Sequence, residues 1–319
     1  MKWLIRGLAI LAALLLIAFL VLRTPDTDVE EMRAKYGSAP SQFVELANGQ
    51  TVHLRDEGPR DAPAIILLHG SNADLHTWQP WVEALDDDYR VIRYDQIGHG
   101  ITGAAFDEDY TFGRYVEAVD LVAQQLDLDR FVLAGNSMGG SIAMQYAMQH
   151  PEKLDGLVLV DAGGADIPSE GSGNIAFTIA RMPVIGNIMS QMLPRSMVER
   201  SLSQSVSNQD LVTPEAVDRY WELARYPGNR AATRARFAQG WQTFDAGEVS
   251  KVTVPTLVMW GEEDSLIPYE AATWYMEQLP NATLANYPGI GHLPQEEHAE
   301  KSVQDLQDWL QSLTPETAE

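Results

Sequence analysis

Ser137 sits between glycines in Gly135-Asn136-Ser137-Met138-Gly139-Gly140, after the apolar run FVLA and before SIAMQYAMQ, which has helical character. This is G-x-S-x-G at a strand-to-helix turn, the setting in which a serine hydroxyl is lifted clear of a sheet as a nucleophile. The turn is too sharp for side chains next to the serine, which accounts for Gly135 and Gly139. The amino terminus of the following helix favours negative charge developing there. A serine at neutral pH needs a base, and the base needs an acid to orient it. The chain order expected with this turn is Ser, then Asp or Glu, then His. Asp264 closes the strand segment PTLVMWGEED, and His292 closes Pro288-Gly289-Ile290-Gly291-His292. Both are therefore expected in loops at the carboxyl ends of strands, on the same edge as Ser137. Glu262 and Glu263 are rival acids, and Asp264 is preferred because it precedes Ser265-Leu266-Ile267-Pro268.

The anion formed when a serine attacks a carbonyl needs backbone donors already aimed at it. The N–H of Met138 is one candidate, immediately after the nucleophile. The second is expected from His69-Gly70-Ser71-Asn72, with Ser71 N–H best placed. The other histidines read as structural. His53 lies in a hairpin and His150 precedes Pro151. His298 lies on the last helix, and His69 shapes its own loop. His99 shares the turn YDQIGHG with Asp95, where the two brace backbone. His76 precedes the serine, the wrong order for its base. Asn72, Trp78, Leu293 and Ile267 are candidates for a substrate pocket, although Trp78 and Trp81 are as well suited to packing the helix that follows them. Asn136 reads as a brace for the turn.

These residues have to be carried by strands and helices. Gln42–Leu46 and Thr51–Arg55 alternate around Asn48-Gly49, a strong hairpin signal. Strand-like runs at Ala64–Leu68, Arg90–Tyr94, Arg130–Ala134, Leu154–Val160, Pro255–Trp260 and Thr283–Tyr287 then alternate with helical stretches at Trp78–Leu85, Tyr115–Leu126, Gly139–Gln149, Tyr269–Leu279 and Glu297–Leu313. Such alternation means βαβ units and a mostly parallel sheet opened by an antiparallel hairpin. Residues 164–248 break the rhythm. They have helical periodicity and include Met182, Met189, Met192, Met197, Trp221, Phe237, Trp241 and Phe244, which suggests a helical cap over the carboxyl edge of the sheet, where open α/β sheets bind ligands.

Taken together, LLHGS, YDQIGHG, GNSMGG, WGEED with its following IP, and PGIGHLP resemble the serine-dependent α/β-hydrolase fold enzymes with a helical cap, over roughly residues 41–315. The resemblance implies an eight-stranded, mostly parallel sheet, a lid between its sixth and seventh strands, and no cofactor or metal. It carries catalytic roles to Ser137, Asp264 and His292 and oxyanion roles to Ser71 and Met138. Related dehalogenases and epoxide hydrolases use Asp at the elbow, and Ser137 argues against both chemistries. GNSMGG is also similar to the elbow of meta-cleavage product hydrolases. That branch usually has HGxGPG and a Trp after the base histidine, where this chain has HGSNAD and Leu293. The expected activity is hydrolysis of small to medium hydrophobic esters or lactones. The alternatives are carbon–carbon bond hydrolysis and a non-catalytic ligand-binding role on the same fold.

Composition narrows the partners. Of the 319 residues 45% are hydrophobic and 21% charged, a globular balance. Lys and Arg number 22 against 45 Asp and Glu, a net charge of -23 that repels nucleic acid. No cysteine is present, which excludes disulfides, thiolate metal sites and a cysteine nucleophile. Residues 3–22 are apolar except for Arg6, and twenty helical residues span about 30 Å, the thickness of a bilayer's hydrocarbon. Residues 1–23 are read as a retained anchor rather than a cleaved leader, because Val21-Leu22-Arg23-Thr24-Pro25 lacks the small-residue cleavage pattern. Lys2 and Arg6 before the run, and Asp26, Asp28, Glu30 and Glu31 after it, place the amino terminus in the cytoplasm and the body across the membrane. Residues 24–40 are read as a linker, with 41–163 and 249–319 forming the core.

Overall fold

A computed structural model of the chain describes residues 2–168, 182–240 and 242–313. Eight strands form one sheet: β1 (Gln42–Glu45), β2 (Thr51–Glu57), β3 (Ala64–Leu68), β4 (Arg90–Tyr94), β5 (Phe131–Asn136), β6 (Leu154–Val160), β7 (Thr256–Gly261) and β8 (Ala282–Tyr287). Their spatial order is β1-β2-β4-β3-β5-β6-β7-β8. β1 and β2 form the expected hairpin, β2 pairs antiparallel with β4, and every other pair is parallel. Strands of a parallel sheet are covered on both faces, which is why β3 reads AIILL with no polar residue. Ile65 and Leu67 point to one side, where α3 (Gln79–Leu85) packs with Trp81, Val82 and Leu85, and where Val303 and Leu306 arrive from α13 (Ala299–Leu313). Ile66 and Leu68 point to the other, against α4 (Phe112–Gln125), α5 (Met138–Gln149) and α11 (Glu270–Gln278). Period-two alternation thus divides the core into two apolar layers.

The apolar leader forms α1 (Lys2–Leu22), and within it Ile5–Leu22 is long and apolar enough to cross a membrane, with none of that stretch buried against the rest of the chain. The segment read as a linker is instead structured. Val29–Tyr36 forms α2, capped by Asp28, whose side chain accepts from Glu31 N–H at 2.9 Å. Asp28 followed three residues later by Glu31 is a capping signature that the polar composition obscured. Met32 is buried with Ile101, Leu223 and Tyr226, so burial as well as capping holds the helix.

Between β6 and β7 run α6 (Pro183–Ser190), α7 (Arg195–Ser205), α8 (Pro214–Ala224) and α9 (Asn229–Gln239), followed by the short α10 (Ala246–Val249). Trp241, named above among the cap aromatics, lies outside the described residues. Met182, Met189 and Met197 are exposed rather than buried between helices. The cap is seated by an apolar contact of Leu202, Val206 and Val217 with Leu293, and by a polar cluster. In that cluster Arg219 of α8 lies 3.4 Å from Asp74, and Glu296 of α12 (Pro294–Glu297) accepts from Thr77 and, at 3.4 Å, from Tyr220. Arg219 helps hold the Asp74 carboxyl well below the usual carboxylate range, against the opposing effect of burial. Burial pushes the Glu296 carboxyl up, with Asp74 as a neighbouring negative charge.

Removing the cation leaves two acids facing each other in a site of low polarity. Arg219→Ala is expected to cost roughly 3 kcal/mol of stability, the low end for breaking a buried pair because the guanidinium is partly solvated. Equilibrium denaturation of the detergent-solubilised protein measures it, and a change below about 0.5 kcal/mol would show that the cluster does not seat the cap.

Candidate active site

The β5 strand ends at Asn136 and α5 begins at Met138, so Ser137 alone makes the turn. Its backbone lies at φ 56° and ψ -117°, a strained conformation for a residue with a side chain. The surroundings hold it there. Ser137 N–H donates to Val160 O at 3.0 Å, and Ser137 O accepts from Gly163 N–H and Ser141 N–H at 3.0 and 3.1 Å. A Cβ on Gly135 would lie 2.2 Å from Gly139 O, and one on Gly139 would lie 2.2 Å from Leu68 O. These two glycines therefore leave space for backbone to approach backbone. Asn136 does more than brace the elbow: its Nδ2 donates to Val160 O at 3.2 Å and to His292 O at 3.0 Å. The residue before the serine thus holds the backbone of the histidine.

His292 Nδ1 lies 2.6 Å from Asp264 Oδ2, with both residues buried. Asp264 Oδ1 accepts from Leu266 N–H at 2.7 Å and Ile267 N–H at 3.1 Å. A carboxylate with these partners accepts a hydrogen bond from Nδ1–H, which leaves Nε2 with its lone pair. Among the described residues no hydrogen bond joins Ser137 Oγ to the imidazole. Contacts of this kind are often long in unliganded enzymes and tighten when substrate binds.

A second acid stands behind this pair and was missed in the sequence. Asp161, at the end of β6, has φ 43° and is fully buried; its Oδ1 accepts from Gly261 N–H at 3.0 Å, and its Oδ2 has no hydrogen-bonding partner. Burial, and then the charge of Asp264, push the Asp161 carboxyl well above its ordinary range. Ligand atoms of Asp161, Asp264 and His292 lie within 4.8 Å of one another, a donor set of the type that can hold a cation. The hydrogen bond between Asp264 and His292 already occupies Nδ1 and one carboxylate oxygen of that set. The signal available was Asp161 at the end of LVLV, an acid at the carboxyl end of a strand neighbouring β5.

The loop after β3 is fixed by His69. Its Nε2 accepts from Gln96 N–H at 3.0 Å, so Nδ1 carries the hydrogen and donates to Gly70 O at 2.7 Å. Burial lowers the pKa of His69, which keeps the ring neutral. Ala73 N–H closes the turn onto Gly70 O, with Asn72 at φ 61°. Met138 is the first residue of α5, where helix geometry leaves the N–H without an acceptor inside the helix. Asp95 does brace backbone, accepting from Leu75 N–H and Ile101 N–H, both at 2.9 Å, while His53 Nδ1 lies 2.7 Å from it. His76 is bound to Asp74 at 2.6 Å.

The pocket candidates divide. Trp78 is fully buried 4.9 Å from Trp81 in the layer under α3, so it belongs to the core and not to a pocket, because its ring covers the inner face of β3. Asn72 accepts from Thr233 of α9 at 3.1 Å and ties the loop to the cap. Leu293 packs on cap helices, and Ile267 borders Asp264 through its N–H. Arg236 of α9 had not been singled out in the sequence. Its Nη1 donates to Ser71 Oγ at 3.0 Å and lies 2.9 Å from Met138 Sδ.

A carboxyl with a raised folded pKa holds its proton where the unfolded chain has lost it, so the stability it confers is complete at low pH and declines as pH rises above about 4 toward the folded value. Asp161→Asn keeps a donor toward Asp264 and an acceptor for Gly261 while removing this titration. Thermal melts at pH 5 and pH 8 are expected to show the variant gaining on the wild type at the higher pH, by up to about 1.4 kcal/mol for each pH unit crossed below the folded pKa. Parallel pH dependence in the two proteins would mean that Asp161 ionises normally.

Comparison with known proteins agrees with this architecture. A 2-hydroxy-6-oxononadienedioate/2-hydroxy-6-oxononatrienedioate hydrolase from Pseudomonas sp is 26% identical over 303 residues, covering 88% of this chain and 99% of the relative. The structure of a meta-cleavage product hydrolase from Pseudomonas fluorescens IP01 superposes with a TM-score of 0.75 at 20% identity, covering 86% of this chain and 98% of that one. A membrane phospholipase A described as a bacterial virulence factor superposes with a TM-score of 0.71 at 24% identity, covering 98% of this chain and 99% of that one. Residues 63–299 match the alpha/beta hydrolase fold family, and the chain belongs to it.

Proposed function

We propose that the protein is a membrane-anchored serine hydrolase that cleaves carboxylic esters of small to medium hydrophobic acyl groups, or lactones, through an acyl-serine intermediate. The observation that carries this reading is the strained Ser137 turn tied through Asn136 to a histidine already oriented by an aspartate. His292 Nε2 takes the proton from Ser137 Oγ as the oxygen bonds to the ester carbon, and Asp264 steadies the imidazolium. The N–H groups of Met138 and Ser71 receive the oxyanion. The C–O bond to the alcohol then breaks, and His292 returns its proton to that oxygen. Water, deprotonated by His292, then attacks the acyl carbon; the C–O bond to Ser137 Oγ breaks, His292 returns the proton to that oxygen, and the acid leaves.

Several features support the membrane location. The candidate span ends at Leu22, and two residues later Thr24 N–H donates to Gln191 O at 2.9 Å while Thr24 Oγ1 accepts from Leu193 N–H at 3.1 Å. The cap is therefore joined to the point where the chain would leave the bilayer. The α6 helix beside that junction exposes Ile185, Ile188 and Met189. A leader of this kind also serves as a signal sequence, and the basic residues before it favour a cytoplasmic amino terminus with the catalytic domain outside.

A second reading, hydrolysis of a carbon–carbon bond in a vinylogous diketone, has the stronger support among the named curated relatives, which include a 2-hydroxymuconate semialdehyde hydrolase from Pseudomonas putida. The departures at HGSNAD and Leu293, together with the anchor, favour the ester reading.

Full-length protein in detergent is expected to react with a fluorophosphonate probe at Ser137 and to turn over p-nitrophenyl esters of short and medium chains. Ser137→Ala should lower that turnover by about 10⁴-fold or more without changing the melting temperature. Turnover of a 2-hydroxy-6-oxo-dienoate with negligible ester turnover would select the second reading. No probe labelling and no turnover of either substrate class would leave a ligand-binding protein on the same fold.

A further inference from the structure

Arg236 is buried against the elements assigned to the oxyanion, and among the described residues no acid accompanies it. Nη1 meets Ser71 Oγ and Met138 Sδ, Nη2 donates to Thr233 Oγ1 at 3.1 Å, and the buried Nε has no partner. All the partners are neutral. Tyr110 and Tyr115 are the groups that act on its charge, and burial holds both phenols above their ordinary range, so neither supplies an anion at neutral pH. Tyr115 Oη is itself buried without a partner. On the loop side stand His69 and His99, whose rings burial and the nearby guanidinium keep uncharged.

A guanidinium is costly to bury without a counter-ion, and the chain does not lack acids, with 45 Asp and Glu to 22 Lys and Arg. Other deeply placed arginines that hold the fold have one: Arg90 lies on Asp56, Arg93 on Glu57 and Arg219 on Asp74. At Arg236 no acid among the described residues stands on the side that faces the elbow, and the contacts there are a hydroxyl and a thioether, both weak acceptors for a cation. An incoming anion would displace both.

We propose that Arg236 anchors an anion subsite next to the oxyanion hole, which receives a carboxylate or phosphate carried by the substrate or released on the product; the inference rests on the serine-hydrolase reading for what lies beside it. A guanidinium forms paired, charge-assisted hydrogen bonds with either group. The substrates selected are then esters with an ionised group a few bonds from the scissile carbonyl, held by α9 beside the elbow.

Calorimetry on the full-length protein in detergent tests this with three probes of matched chain: hexanoate, hexyl phosphate and the neutral hexanamide. Wild type is expected to bind at least one anion tenfold or more tighter than the amide, and the two anions separate a carboxylate site from a phosphate site. Arg236→Met should abolish the preference, and Arg236→Lys, which keeps the charge, should retain part of it. Arg236→Met should also melt no lower than the wild type, since it removes an uncompensated buried charge, whereas a purely structural arginine would lower the melting temperature on loss. Should the Met variant fail to fold, that structural role would be indicated and the proposal overturned unless Arg236→Lys still prefers the anion. Equal binding of amide and anions by wild type overturns the subsite. In parallel, kcat/KM for a mono-p-nitrophenyl dicarboxylate over p-nitrophenyl butyrate should fall at least tenfold in Arg236→Met. Anion preference without any ester turnover would discard the ester reading and keep the subsite; turnover without preference would do the reverse.

Discussion

The site depends on a turn of one residue. Ser137 alone separates a strand from a helix, at φ 56°, and the strain is tolerated because Gly135 and Gly139 let the helix start pack onto the sheet without an intervening Cβ. Parallel pairing of β5, β6, β7 and β8 then brings their carboxyl ends to one edge, with Asn136 level with Val160 and Gly261 level with Tyr287. The loops that follow β7 and β8 carry Asp264 and His292, so residues more than a hundred positions apart meet at that edge by sheet register. The hydrogen bond from Asn136 to His292 O then joins the turn to the last of these loops.

Around this edge the protein manages buried charge in three ways. Asp264 is satisfied by two backbone N–H groups and an imidazole. Asp161 is a few ångströms away, and its burial, and then the neighbouring charge of Asp264, push its carboxyl well above the ordinary range. A protonated acid can donate where a carboxylate cannot, and its neighbour has the oxygen to accept. Arg219 neutralises Asp74 under the cap. Arg236 departs from this pattern, with its charge directed at neutral atoms of the two residues assigned to the oxyanion hole.

The turn at Ser137 and the loop positions of Asp264 and His292 were legible in the sequence because each lies in a short motif whose residue types are set by local backbone geometry or by chain order. The strand runs were legible for a related reason: burial on both faces leaves continuous apolar stretches such as AIILL. Asp161 and Arg236 carried no comparable signal. Their significance comes from what is packed around them, namely Asp264 for the first and neutral partners in place of an acid for the second, and none of these neighbours could be paired with them from the chain alone. Trp78 was ambiguous because an aromatic residue after the β3 loop suits a pocket wall as well as a core, and only its burial in the layer with Trp81 decides. The α2 helix was obscured by polar composition, since it is held by a cap, one buried methionine and polar bonds from Lys35 and Tyr36 to Glu222 rather than by an apolar stripe.

The docking of residues 24–36 changes how the parts relate mechanically. A flexible linker would leave α1 free to move relative to the rest of the chain, whereas here Thr27, Lys35 and Tyr36 are bonded to Arg225 and Glu222, and Arg230 reaches back to Thr24 and Asp26. Attachment is therefore to helices α8 and α9 as well as to the sheet, where Arg55 of β2 donates to Tyr36 O at 3.4 Å. The same α9 helix carries Arg230 on the anchor side and Arg236 on the oxyanion side, six residues or rather less than two helical turns apart. One helix therefore touches both the segment that follows α1, through Arg230, and the loop after β3, through Arg236.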